Sequence, residues 1–271
     1  MTTAHIVRRF ESIGARVRVE PPSPRLGVGS VTIDIGTDRG GEFFRLRPNV
    51  DSPDLLVLDA QPRDRHLLLM ARDDDAKSKF LCGHDERHWF VAGVPETAPV
   101  GTVSQAMTAL QPPRVQTAVR NKKVGRKRRN RRKNAAFVRQ GEWFFLPAPD
   151  LVVPAGQIIR NEPLRRGVRG KPHWVDECFR IGGEVVYLPR RTARRHGGTG
   201  TLTQVQFDRL VQKEGELVRG RYRAMRRNMT VYVRGRVRHA DHATITLDGW
   251  HEVMMNTENQ SRAMRSVEFY D

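Results

Sequence analysis

Five side chains able to hold or move protons crowd one short stretch of this sequence: His239, Asp241, His242, His251 and Glu252. An imidazole that accepts a proton, a second that returns it and a carboxylate to orient them are the components of general acid–base cleavage of a phosphodiester. His242, His251 and Glu252 are therefore the catalytic candidates, and the same set could hold a metal ion. Packing or hydrogen bonding near a turn is the plainer role for such residues.

The run His242-Ala243-Thr244-Ile245-Thr246-Leu247 has the His-x-Thr-hydrophobic outline that two-histidine phosphoesterases carry once in each half, but a single copy is present. That chemistry needs two such motifs converging on one phosphate, so the outline alone makes no site. His84 and His88 lie four apart beside Cys82, Asp85 and Glu86, which would be ligand spacing on a helix. Their neighbours, Lys79–Cys82 and Trp89–Val94, instead predict a hairpin whose turn takes the polar residues. No metal site is assigned.

His196-Gly197-Gly198-Thr199-Gly200-Thr201 could turn tightly but lacks the Gly-Lys-Ser/Thr ending of a phosphate loop, and no cofactor motif occurs elsewhere. No Gly-x-Ser-x-Gly nucleophile is present, and Asp73-Asp74-Asp75 reads as a solvated loop. Cys82 and Cys178 are the only cysteines, which neither frame a disulfide-stapled fold nor complete a zinc finger.

Charge is the strongest signal. The chain of 271 residues carries a net +18 and a pI near 11.0. Residues 114–159 hold 12 basic and 2 acidic side chains and residues 160–239 hold 20 and 7, whereas residues 1–113 hold 14 and 15. Such self-repulsion is relieved by a polyanion, most commonly nucleic acid. The densest run is Arg120, Lys122, Lys123, Arg126, Lys127, Arg128, Arg129, Arg131, Arg132 and Lys133, without an acid between them. Like charges and scarce apolar residues predict an arm that is extended or mobile until it meets phosphates.

A second basic element depends on strand geometry. If Met229–Arg238 is a strand, Met229, Val231, Val233 and Val237 face one way and Tyr232, Arg234, Arg236 and Arg238 the other. An aromatic among arginines on a sheet can hold single-stranded bases and phosphates. A half-buried strand with a solvated outer face is the alternative. Arg219, Arg221, Arg223, Arg226 and Arg227 just upstream add to the cationic side.

These residues must be positioned by short elements. A helix is predicted over residues 3–14, with Ile6, Val7, Phe10 and Ile13 on one face and Gly14 ending it. Strands are predicted over 16–20, 31–35, 42–46, 55–58, 66–71, 79–82 and 89–94, and a helix over 103–110 stopped by Pro112 and Pro113. Further strands are predicted over 142–146, 184–188, 229–238 and 243–247, with a helix over 203–215. The type of the last segment, from Trp250, is left open.

Together these predict an α+β, β-dominated chain of two small mixed domains: residues 1–112, a basic connector at 113–140, and a basic α+β domain at 141–271. No signal peptide or run of about 18 apolar residues is visible, so a cytoplasmic protein without a membrane partner is expected. The expected partner is nucleic acid, RNA or single-stranded DNA favoured over sequence-specific duplex DNA. The alternatives are an enzyme that processes nucleic acid through the His239–Glu252 cluster, and a structural component of a nucleoprotein assembly.

Overall fold

The computed structural model describes residues 3–21, 31–48, 54–72, 77–97, 99–166, 171–190 and 200–266. The chain is α+β with strands dominating. Asp73–Asp75 and most of the His196–Thr201 turn lie outside the described residues.

Helix α1 (Thr3–Ser12) buries Ile6 and Phe10, one turn apart, and ends at Gly14. Gly14 takes φ +75°, a left-handed conformation that suits glycine and lets the Ala15 N–H bond the Phe10 carbonyl at 3.0 Å. Strands β1 (Val17–Val19), β2 (Val31–Asp38) and β3 (Gly41–Pro48) form one sheet. Strands β4 (Asp54–Gln61), β5 (His66–Arg72), β6 (Lys77–Asp85) and β7 (His88–Val94) form an antiparallel meander in sequence order. The predicted β6–β7 hairpin is present.

The leucine run of β5 explains how this half is layered. Leu67 and Leu69 join α1 and the first sheet in one core, while Leu68 joins Val103, Ala106 and Leu110 on the opposite face. A strand buried on both faces needs continuous apolar residues rather than alternation. The second face is covered by α2 (Val103–Ala109), started by a capping box in which Thr102 and Gln105 each accept the other's backbone N–H.

The region expected as a connector is folded, which corrects the picture of an extended arm. Helix α3 (Pro113–Asn121) buries Val115 and Val119, and Ala136 and Phe137 close over them with Phe144 and Leu146. The basic residues therefore ride on a turn held at both ends by apolar anchors. Burying a phenylalanine such as Phe137 contributes about 1.5–3 kcal/mol, which offsets repulsion among the exposed cations.

A six-stranded antiparallel sheet follows, in the order β10 (Ile159–Leu164), β11 (His173–Ile181), β15 (Thr230–Arg238), β16 (Ile245–Met255), β9 (Trp143–Pro147) and β8 (Val138–Gln140). Its core holds Val175, Cys178, Val233, Val237 and Leu247. Strands β12 (Glu184–Pro189), β13 (Leu202–Thr203) and β14 (Tyr222–Arg227) form a small sheet under α4 (Gln204–Glu214).

Contacts cross the expected boundaries at 112 and 140. Ala263 is buried in the core of the first half, and the Thr257 hydroxyl donates to the Ala109 carbonyl at 2.8 Å. No described helix is long and apolar enough to cross a membrane.

Candidate cationic cleft and histidine cluster

The basic segment is positioned by two amide side chains. Gln111, only 2% exposed, donates through Nε2 to the Arg129 carbonyl at 2.9 Å and to Asn130 Oδ1 at 3.0 Å. Asn130 Nδ2 in turn donates to the Ser104 carbonyl on α2 at 3.1 Å. The turn is thereby tied to α2 and its long cationic side chains are left outside.

Arg120, Lys122, Lys123, Arg126, Lys127, Arg128, Arg131 and Lys133 are exposed, and no described carboxylate lies within ion-pair distance of any of them. Arg129 is half-buried, with its Nε lacking a hydrogen-bond partner. Arg132 differs, because it turns inward and pairs with Asp85 and Glu86 at the β6–β7 turn. Arg126, Lys127, Arg131 and Arg132 line a cleft of about 690 Å3 with Arg63, His66, His84 and Arg139, and the carboxylates of Asp64 and Asp85 line it too.

Arg139, with His66, Asp85 and Met107, lines both that cleft and a second cavity of about 250 Å3, which His242, Gly141, Glu142 and Glu258 also line. Its Nε is buried and lacks a hydrogen-bond partner. Burial pulls the Arg139 pKa down, with Asp85 opposing, yet a guanidinium stays charged at neutral pH. A charged guanidinium that lines two cavities and has one unpartnered donor is suited to an anion.

The arginine stripe on β15 alternates as the sequence predicts, with Val231, Val233 and Val237 against the core. Its charge is largely met from the neighbouring strand, however. Arg234 pairs with Glu177 at 2.5 Å, and Arg236 and Arg238 share Asp176 at 3.0 and 3.5 Å. Two hydrogen bonds from Arg236, backbone and side chain, hold the Asp176 carboxyl below its ordinary range. Tyr232 stacks on Phe179 with ring centroids 6.3 Å apart. Upstream, Arg219, Arg221 and Arg227 also pair with Glu216, Glu214 and Glu184. Cross-strand acids at 176 and 177 thus make this face a lattice of ion pairs, whereas in the 120–133 segment Arg132 alone pairs with a described carboxylate.

The catalytic candidates are not brought together. His251 pairs across β16 with Val233 and with Pro147, its Nδ1 lies 3.0 Å from the Gly249 carbonyl, and Glu252 pairs with Arg114. His242 lies beyond the far end of the same strand, past Ile245, and Ile245 and His251 stand opposite Val237 and Val233, four residues of strand or roughly 13 Å apart. Burial pushes the Glu252 carboxyl up, with Arg114 opposing. Cys82 and Cys178 are buried free thiols, and burial pushes Cys178 up to about 11.

His242 instead joins His173 and His239, with centroid separations of 5.6 and 4.7 Å. Burial, followed by the neighbouring His239 and His242, pulls the His173 pKa down to about 3. Burial also pulls His242 down. His173 was invisible to sequence spacing, because it stands more than sixty positions from its partners. Arg139 was equally hidden, since only the fold sets it apart from the neighbouring arginines.

No protein-family model, curated protein or solved structure matches this chain.

Proposed function

We propose that this protein binds nucleic acid, single-stranded RNA or DNA in preference to sequence-specific duplex, along the cleft beside the 120–133 turn. The observation that carries the reading is the set of eight exposed cations with no described carboxylate within ion-pair distance, three of which, Arg126, Lys127 and Arg131, line the cleft that reaches Arg139. Free guanidinium and ammonium groups neutralise phosphates and release condensed counterions, giving affinity without sequence readout. Seven of the eight cations sit beyond the end of α3 on an irregular turn rather than along a helix face, which favours phosphate tracking along a strand. The folded scaffold fixes the backbone of the turn in advance, so the ordering cost of binding is confined to the side chains, about 0.5–1.5 kcal/mol for each one immobilised.

The test is a salt series with fluorescent single-stranded RNA and DNA, comparing the unmodified chain with the triple variant Arg126→Gln, Lys127→Gln, Arg131→Gln. Each phosphate contact to a single strand contributes about 0.7 to the slope of log affinity against log salt, so the variant should lose about 2. Arg236→Gln, which removes an already paired cation, should lower the slope far less. Affinity and slope unchanged in the triple variant would overturn the assignment.

A further inference from the structure

Three imidazoles meet where the β11–β15 ladder ends, and nucleic-acid binding makes no use of them. Trp174 pairs with Arg238, which places His173 opposite His239, and the following turn returns His242 beside both. One ring nitrogen from each histidine lies within 4.8 Å of the others. Independently, His173 is 2% exposed and neither of its ring nitrogens has a hydrogen-bond partner. A buried polar atom left unpaired costs about 1–3 kcal/mol, so such a ring calls for a partner. Gly141 shows where that partner would sit. A Cβ there would lie 2.9 Å from His242 Nε2 and 3.4 Å from His173 Nε2, so both nitrogens border the space beside a residue with no side chain.

We propose that His173, His239 and His242 bind a divalent transition-metal ion of the zinc class. Three neutral nitrogen donors suit zinc, cobalt, nickel or copper, whereas magnesium and calcium require oxygen ligands that the trio does not supply. One outer partner is in place, since His239 Nε2 lies 3.3 Å from the Lys171 carbonyl. Glu86 Oε2 lies 3.8 Å from His242 Nδ1, beyond hydrogen-bond distance, and would close on it as the ring turns. A carboxylate or carbonyl on the far nitrogen is what fixes the tautomer of a ligating imidazole. His239 would then ligate through Nδ1, giving up its 3.1 Å contact with the Asp241 N–H.

The His239 ring now lies face to face with those of His173 and His242, at interplanar angles of 23° and 29°. A tetrahedral ion at about 2.0–2.1 Å needs nitrogens about 3.3 Å apart, so binding turns the rings edge-on and draws them in by up to about 1.5 Å. His242 also lines the 250 Å3 cavity, which leaves a further coordination position open to water or an anionic ligand.

The test titrates the purified full-length chain with Co2+, followed by visible absorbance and calorimetry, and then displaces it with Zn2+ in the absence of nucleic acid. One Co2+ per chain is expected, with Zn2+ competing for it. His239→Ala and His242→Ala, at half-buried positions, should each weaken binding by more than the 10–100-fold that loss of an outer partner costs. His5→Ala, on α1, should bind as the unmodified chain does. Absence of saturable binding, unchanged affinity in both cluster variants, or an equal loss in His5→Ala would overturn the site. Because no nucleic acid is present, the outcome is independent of the cleft.

Discussion

At the scale of single residues, burial decides which charges the molecule can use. Glu258 is 3% exposed, and burial pushes its carboxyl above the ordinary value of 4.5 although Arg166 pairs with it. A carboxyl whose folded pKa is raised contributes stability that is fully present below its unfolded pKa and is lost as pH rises through the folded value. Glu258→Gln removes that loss. The stability of the variant relative to the unmodified chain should therefore grow as pH rises above the ordinary value of 4.5 in urea titrations, and a flat difference would refute the sign. The same reasoning explains why residue type alone misplaced the candidate catalytic set. His242, His251 and Glu252 are close in sequence, but a strand spends that closeness on distance, while His173 comes near through strand pairing that spacing cannot encode.

At the scale of elements, the basic turn is held by amides as well as by the Arg132 ion pairs. Asn130→Ala would leave Gln111 Nε2 short of one acceptor and remove the donor to Ser104. The expected cost is about 1–3 kcal/mol, read as a lower urea midpoint, together with faster tryptic cleavage within 126–131. Unchanged cleavage would mean that the turn is anchored elsewhere. This element was also the least legible in sequence. Val115, Val119 and Phe137 are too sparse among cations to signal a packed helix and loop, yet each has an apolar partner in α3 or β9. The opposite holds for α1, the β6–β7 hairpin, α2 and α4, whose periodicity, caps and turns are local and were readable. Strands β10, β11 and β14 were missed because their outward residues, such as Glu162, Asp176, Glu177 and Arg227, are charges that make sense only beside a partner strand.

At the scale of the whole molecule, the chain's two halves are tied by its last described segment. Ala263 is fully buried in the first core, the Ser261 hydroxyl donates to the Val94 carbonyl at 3.0 Å, and the Ala243 N–H donates to Glu86 at 2.6 Å. Unfolding followed by tryptophan fluorescence and by far-ultraviolet circular dichroism should therefore coincide in one transition, and Ala263→Asp should lower it by at least about 3 kcal/mol through an unpaired buried charge. The net +18 works against that cooperative unit, since clustered like charges favour any expanded state. A strand that neutralises the open turn must then stabilise the fold as well as bind it. At a ligand concentration about a hundred times the dissociation constant the gain is about 2.7 kcal/mol. The gain should vanish as salt rises, in step with the affinity. Thermal unfolding with and without single-stranded RNA, at low and high salt, separates this coupling from mere adhesion. A ligand that binds tightly yet leaves the transition where it was would be binding the unfolded chain equally well, and the folded cleft would have no part in recognition.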